Sequence, residues 1–136
     1  MTDLEQAKTR LAEGGFSCVV VINGKETVSL ERGVKPLLDW LQQDNRFFAG
    51  TSVADKVIGK AAAMLFVLGG AKTVHAKVLS EPARKIFETY RVAISYDVLT
   101  DRIKNRSGTG LCPMESRVMD TDSLQEAYLR LQQVKL

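Results

Sequence analysis

The hydrophobic positions change period several times along the chain, and each change marks an element. Thr2-Asp3-Leu4-Glu5 has the form of a capping box: a Thr hydroxyl accepts a free helix N–H, and a Glu three residues on reaches back. A helix is expected from there to about Glu13, stopped by Gly14-Gly15, because glycine enters the left-handed cap conformation freely. Phe16 to Ile22 is apolar on both faces and reads as an inner strand. Asn23-Gly24 follows, a strong hairpin signal because both residues tolerate positive φ. Lys25 to Leu30 returns as the partner strand, alternating Thr27 and Ser29 against Val28 and Leu30, so one of its faces is wetter.

A short helix is expected over Lys35 to Gln43, with Leu37, Leu38, Trp40 and Leu41 inward. Arg46 to Val53 reads as a strand. Asp55 to Leu68 reads as an Ala-rich helix ended by Gly69-Gly70, and Gly59, Ala61, Ala62 and Ala63 suit close packing on a sheet. Lys72 to Leu79 alternates, with Val74, Ala76 and Val78 on one face and His75 on the polar side, an exposed position. Ser80 caps a helix opening at Glu81-Pro82 and ending near Tyr90. Val92 to Leu99 is a further strand, and Asn105 to Pro113 is a loop rich in Gly, Ser and Thr. Ser123-Leu124-Gln125-Glu126 is a second capping box, opening a helix to about Gln133. A hairpin followed by strands alternating with helices predicts one α/β domain over residues 1–136, three-layer α/β/α with a mixed sheet.

Composition narrows the class without naming a function. With 136 residues, 45% hydrophobic and 26% charged, the chain fits a single globular domain. Its longest strongly apolar stretch, Ala61 to Leu68, is far short of a membrane span, and the polar, acidic start is unlike a secretory signal. A cytoplasmic protein is expected. The net charge of +3 is spread along the chain rather than gathered in a stripe, so nothing points to nucleic acid. Two Cys are too few for a disulfide framework.

Two stretches carry candidate chemistry. Asp55-Lys56-Val57-Ile58-Gly59-Lys60 would set two Lys on one helical face, with Asp55 as the cap. That is either a solvated Lys stripe or a site at a helix N-terminus, with Lys60 one turn in as a point charge for an anion. The second stretch runs from Asn105 to Glu115. Gly108 and Gly110 let the backbone approach a ligand, and Arg106, Ser107 and Thr109 offer donors. Cys112 is a nucleophile if a cation stabilises its thiolate, and Glu115 a proton carrier; otherwise Cys112 packs and Glu115 is an exposed loop carboxylate. Cys18 lies in an apolar strand and packs. His75 is the only His, and no Cys-x-x-Cys or paired His is present, so no metal ligand set and no cofactor is expected.

Together, Asp55 through Ala63, Asn105-Arg106 and Cys112-Pro113-Met114-Glu115 resemble a bacterial and archaeal family, a domain of unknown function placed in the cytidine-deaminase-like fold superfamily. The resemblance implies a cytidine-deaminase-like α/β fold. In true deaminases the helix after the hairpin carries His-Ala-Glu, the His a zinc ligand and the Glu a proton shuttle. The matching stretch here is Ile58-Gly59-Lys60, and Ser80-Glu81-Pro82-Ala83-Arg84-Lys85 stands where deaminases have Pro-Cys-x-x-Cys. What the resemblance leaves is a pocket at the start of the Asp55 helix, lined by Lys60 and covered by the Cys112 loop. The leading expectation is a small-molecule site, for an anionic or nucleotide-like ligand, formed by Asp55, Lys60, Asn105, Arg106, Gly108 and Gly110. If it is catalytic, Cys112 is the nucleophile, Lys60 a thiolate or oxyanion stabiliser and Glu115 the proton carrier. The alternatives are a non-catalytic protein-interaction or regulatory module, with self-association into a homo-oligomer open, and a metal-dependent deaminase with a rearranged site.

Overall fold

The structure, a computed structural model, describes residues 1–31, 33–104, 108 and 110–134. Helix α1 (Asp3–Gly14) leads into the hairpin β1 (Cys18–Ile22) and β2 (Lys25–Ser29). Then follow α2 (Lys35–Gln43), β3 (Ser52–Ile58), α3 (Lys60–Gly69), β4 (Thr73–Ser80), α4 (Glu81–Thr89), β5 (Ala93–Thr100), α5 (Pro113–Val118) and α6 (Leu124–Gln132). The caps expected from sequence are in place. The hydroxyls of Thr2, Ser80 and Ser123 accept from the N–H groups of Glu5, Ala83 and Glu126. Gly15 and Gly70 end α1 and α3 at φ 70° and 90°. Asn23 and Gly24 turn the hairpin at φ 51° and 79°.

The strands form one mixed sheet in the order β2-β1-β3-β4-β5. β1 runs antiparallel to β2 and β3, whereas β3, β4 and β5 are parallel. Two separate apolar clusters show that both faces are covered. On one face α1 packs Ala7 and Leu11 on Val19, Val21 and Ala54. The other face carries the larger core, in which α3 is buried nearly all round and Phe48 meets Phe66 edge to face at 5.1 Å. β2 and β5 are the edges, and β2 is exposed on both faces rather than one.

The strand expected over Arg46 to Val53 is instead Ser52–Ile58, and the helix expected from Asp55 starts at Lys60. Asp55 is therefore a strand residue rather than a helix cap, and Lys56 and Lys60 do not share a helical face. The β-branched Val53, Val57 and Ile58, and the central slot between β1 and β4, outweigh the Ala-rich, Lys-spaced pattern. His75, expected outside, is 5% exposed, because the polar side of β4 faces the α1 layer. Pro113 to Glu115 belong to α5 rather than to a loop, and Glu115 is 3% exposed.

One irregularity matters for the site. Core-facing residues on β3 include Val53 and Ile58, five apart, and on β4 Val74, Ala76 and Leu79. Strict alternation would keep an even spacing, so the inward face shifts by one residue across Lys56 and Lys77. At this step the Asp55 carboxylate accepts the N–H of Val57 at 3.3 Å.

Candidate functional site

The start of α3 is the first place to look for an anion, because the free N–H groups of a helix's first turn point out of it. Here the chain supplies its own anion. Glu115, carried in by α5, accepts the N–H of Lys60 on Oε1 and the N–H of Ala61 on Oε2, both at 2.7 Å. Gly59 makes the approach possible, since a Cβ there would stand 2.1 Å from Oε1. Burial pushes the Glu115 carboxyl above its usual range, opposed by the two N–H groups and by Lys60. The Lys60 side chain turns away to the α5–α6 junction, where Nζ donates to the Met119 carbonyl at 3.1 Å and pairs with Asp122 at 3.1 Å.

The other expected residues lie apart from that contact or outside what is described. Asp55 is buried on β3 opposite Cys18, and burial raises its carboxyl to about 7. Desolvation and the neighbouring Asp55 push the Cys18 thiol up as well, which fits its packing role. Cys112 is half-buried at the N-cap of α5, and its N–H donates to the Ile103 carbonyl at 3.0 Å. Gly108 and Gly110 border a shallow hollow with Arg102, Lys104 and Leu111. Asn105 and Arg106 lie outside the described residues, as do Ser107 and Thr109.

A second constellation sits on the opposite face of the sheet. There α1 covers β1 and β3 but leaves β5 open, and a cleft of about 360 Å³ remains beside it. Lys8 and Leu11 of α1 form one wall, Asp97 of β5 the other, and Lys56, His75 and Lys77 the floor. The parallel register sets His75 beside Ser95. His75 Nδ1 is 2.7 Å from Ser95 Oγ, and Nε2 is 3.4 Å from Asp97 Oδ1. The tautomer that satisfies both partners has an Nε2–H directed at the carboxylate and an Nδ1 lone pair accepting the Ser95 hydroxyl. Burial, then the Lys8 charge, lower the His75 pKa below its usual value, with Asp97 opposing, so the ring is neutral at pH 7. Among the described residues no salt bridge holds Lys8, Lys56 or Lys77.

A family model described as "TM1506: Domain of unknown function (DUF1893)" matches residues 6–134. The chain belongs to the DUF1893 family. It is similar to the crystal structure of a DUF1893 family protein, TM1506, from Thermotoga maritima. The two share 26% identity and a TM-score of 0.87, over 97% of this chain and 90% of that one. No curated protein matches the sequence.

Sequence reasoning missed the His75 cleft in this DUF1893 chain, although a signal was present. His75 and Lys77 on β4, and Ser95 and Asp97 on β5, repeat the same polar-x-polar spacing two strands running. In neighbouring parallel strands such a repeat lays the polar residues side by side on one face. Lys8 and Lys56 could not be joined to them without knowing where α1 crosses the sheet.

Proposed function

We propose that this DUF1893 domain binds a small anionic ligand in the cleft between α1 and the β4–β5 half of the sheet. One observation carries the reading: Lys8, Lys56 and Lys77, from three different elements, line one cleft with a buried histidine, and among the described residues Asp97 is the one carboxylate lining it. A cleft of about 360 Å³ lies within the range of small-molecule sites, roughly 300–1,000 Å³. The start of α3 is the weaker candidate, because Glu115 already supplies its anion and Asp122 its countercharge to Lys60.

We keep a cytidine-deaminase-like architecture as the reading of the fold, supported by the order hairpin, helix, strand, helix, strand, helix, strand. The residues do not fit the zinc of that superfamily. Ile58 and Lys60 stand where a ligand and a proton shuttle would be, and no Cys follows Pro82 on α4. Among the described residues no three His, Cys, Asp or Glu side chains group to hold a metal ion.

The test is titration with inorganic phosphate, sugar phosphates and nucleoside monophosphates, followed by amide NMR shifts and by melting temperature. Ligand at about a hundred times its Kd stabilises the folded state by about 2.7 kcal/mol, several degrees for a domain of this size. Shifts centred on His75 and Lys77, lost in Lys56→Ala with Lys77→Ala, support the cleft. Shifts that centre on Ala61 and vanish in Lys60→Ala would move the site to α3, and no response to any of these anions would reject the reading.

A further inference from the structure

His75 on the floor of the cleft and Ser95 beside it on β5 have the parts of an activated hydroxyl. Ser95 Oγ lies 2.7 Å from His75 Nδ1, within the distance at which a neutral imidazole takes a hydroxyl proton. Asp97, 3.4 Å from the opposite ring nitrogen, favours the tautomer that leaves Nδ1 free and faces the imidazolium that forms when the proton arrives. The ring is 5% exposed, held between β5 and the α1 layer, so its position does not depend on a substrate.

We infer that Ser95 is an acyl-accepting nucleophile, with His75 as its general base, acting on esters whose acyl part carries a carboxylate or phosphate held by the cleft lysines. The inference rests on the anion-binding reading of the cleft and adds the chemistry to it. An ester is favoured because its leaving alkoxide needs a proton, which the His75–Ser95 pair is built to return. Ser95 Oγ attacks the carbonyl carbon while its proton passes to His75 Nδ1. This forms a tetrahedral oxyanion. Collapse breaks the ester C–O bond, and His75 gives its proton to the departing alkoxide, leaving acyl-Ser95. Water then attacks the acyl-serine with His75 again as base, the Oγ–C bond breaks, the proton returns to Ser95, and the free acid leaves.

The experiment uses the full chain and mono-4-nitrophenyl succinate, an anionic activated ester, with 4-nitrophenyl acetate as the neutral control. Nitrophenolate release is followed by absorbance and the acylated residue is located by peptide mass spectrometry. The expected result is a succinyl group on Ser95, absent in Ser95→Ala. His75→Gln should slow release by roughly a hundredfold or more, the range for loss of a general base. Lys56→Ala with Lys77→Ala should slow the succinate ester more than the acetate. The pH profile in the wild type should rise through a value below the usual histidine range, following the ring's buried position. Circular dichroism of each variant checks folding, and Ser95→Thr, which keeps a hydroxyl, should retain part of the rate if Ser95→Ala is poorly folded. Label confined to lysines, or equal rates in wild type and His75→Gln, overturns the inference. If phosphate still shifts the cleft amides in that case, the binding reading stands and only the chemistry falls. If neither anion binding nor acylation is seen, both fall.

Discussion

Replacing Glu115 with Ala removes a carboxylate whose two oxygens each accept a backbone N–H at 2.7 Å. A hydrogen bond to a charged group contributes about 1.5–3 kcal/mol, so two of them amount to about 3–6 kcal/mol. Burial of the carboxylate offsets part of that, which places the expected loss near the lower end, about 3 kcal/mol. Against a total stability of about 5–15 kcal/mol this is a large fraction. Gly59→Ala reaches the same contact from the other side. Its Cβ would stand 2.1 Å from Glu115 Oε1 and 2.5 Å from Cδ. Gly59 sits at φ −98°, ψ −175°, extended backbone that alanine adopts without strain, so its cost runs through Glu115. In the Glu115→Ala background the clash is gone, and Gly59→Ala should then cost less than about 0.5 kcal/mol. The double variant should therefore be about as stable as Glu115→Ala alone, with a coupling of about 2–3 kcal/mol. Urea unfolding of all four proteins, followed by far-UV circular dichroism with a common m value, measures it. Additive losses would refute the claim that the two residues act through one contact.

Asp55→Asn should flatten the pH dependence of stability. The folded-state pKa of Asp55, about 7, lies above its ordinary 3.8, so its contribution is most favourable below about pH 4 and is lost as pH rises to about 7. A shift of about three units corresponds to roughly 4 kcal/mol at the high-pH end, and the variant should recover much of it in urea midpoints near pH 8. Unchanged midpoints there would mean that the carboxylate is solvated. Phe48→Ala should cost about 3–5 kcal/mol in thermal or urea unfolding, because a fully buried ring would be removed from contact with Phe47 and Phe66.

The local signals were legible in the sequence because their physics is local. Thr2, Ser80 and Ser123 cap, and Asn23-Gly24 turns, through contacts made within four residues. β3 was misread because Asp55 to Ala63 satisfies two patterns at once. Its Ala content and its Lys56–Lys60 spacing suit a helix, while Val57 and Ile58 suit a strand. Pairing with β1 and β4 settles it, and no single stretch of sequence encodes that pairing. The misreading divided the expected site, leaving Asp55 inside the sheet and Lys60 at the start of α3. His75 was placed on the correct, polar side of β4, but that side is the floor beneath α1 rather than solvent. Glu115 was singled out for proton transfer, yet its partners lie 54 and 55 residues away.

Charge balance separates the two positive regions of the molecule. At the start of α3, Glu115 answers the N–H groups, while Asp122 and the Met119 carbonyl answer Lys60, so an incoming phosphate would have to displace a buried carboxylate. Doing so forfeits about 3–6 kcal/mol of charged hydrogen bonds before any new contact forms. In the α1–β5 cleft three lysines and one carboxylate, itself 61% exposed, are among the lining residues. An anion there would displace no buried carboxylate and would meet three lysines against one aspartate. Lys8, second to burial, helps keep His75 neutral, since a positive neighbour disfavours a charged ring. A bound anion would reverse that influence and raise the ring's proton affinity. If the cleft binds an anion, that binding and proton uptake at His75 would be linked, and each should strengthen the other as pH falls.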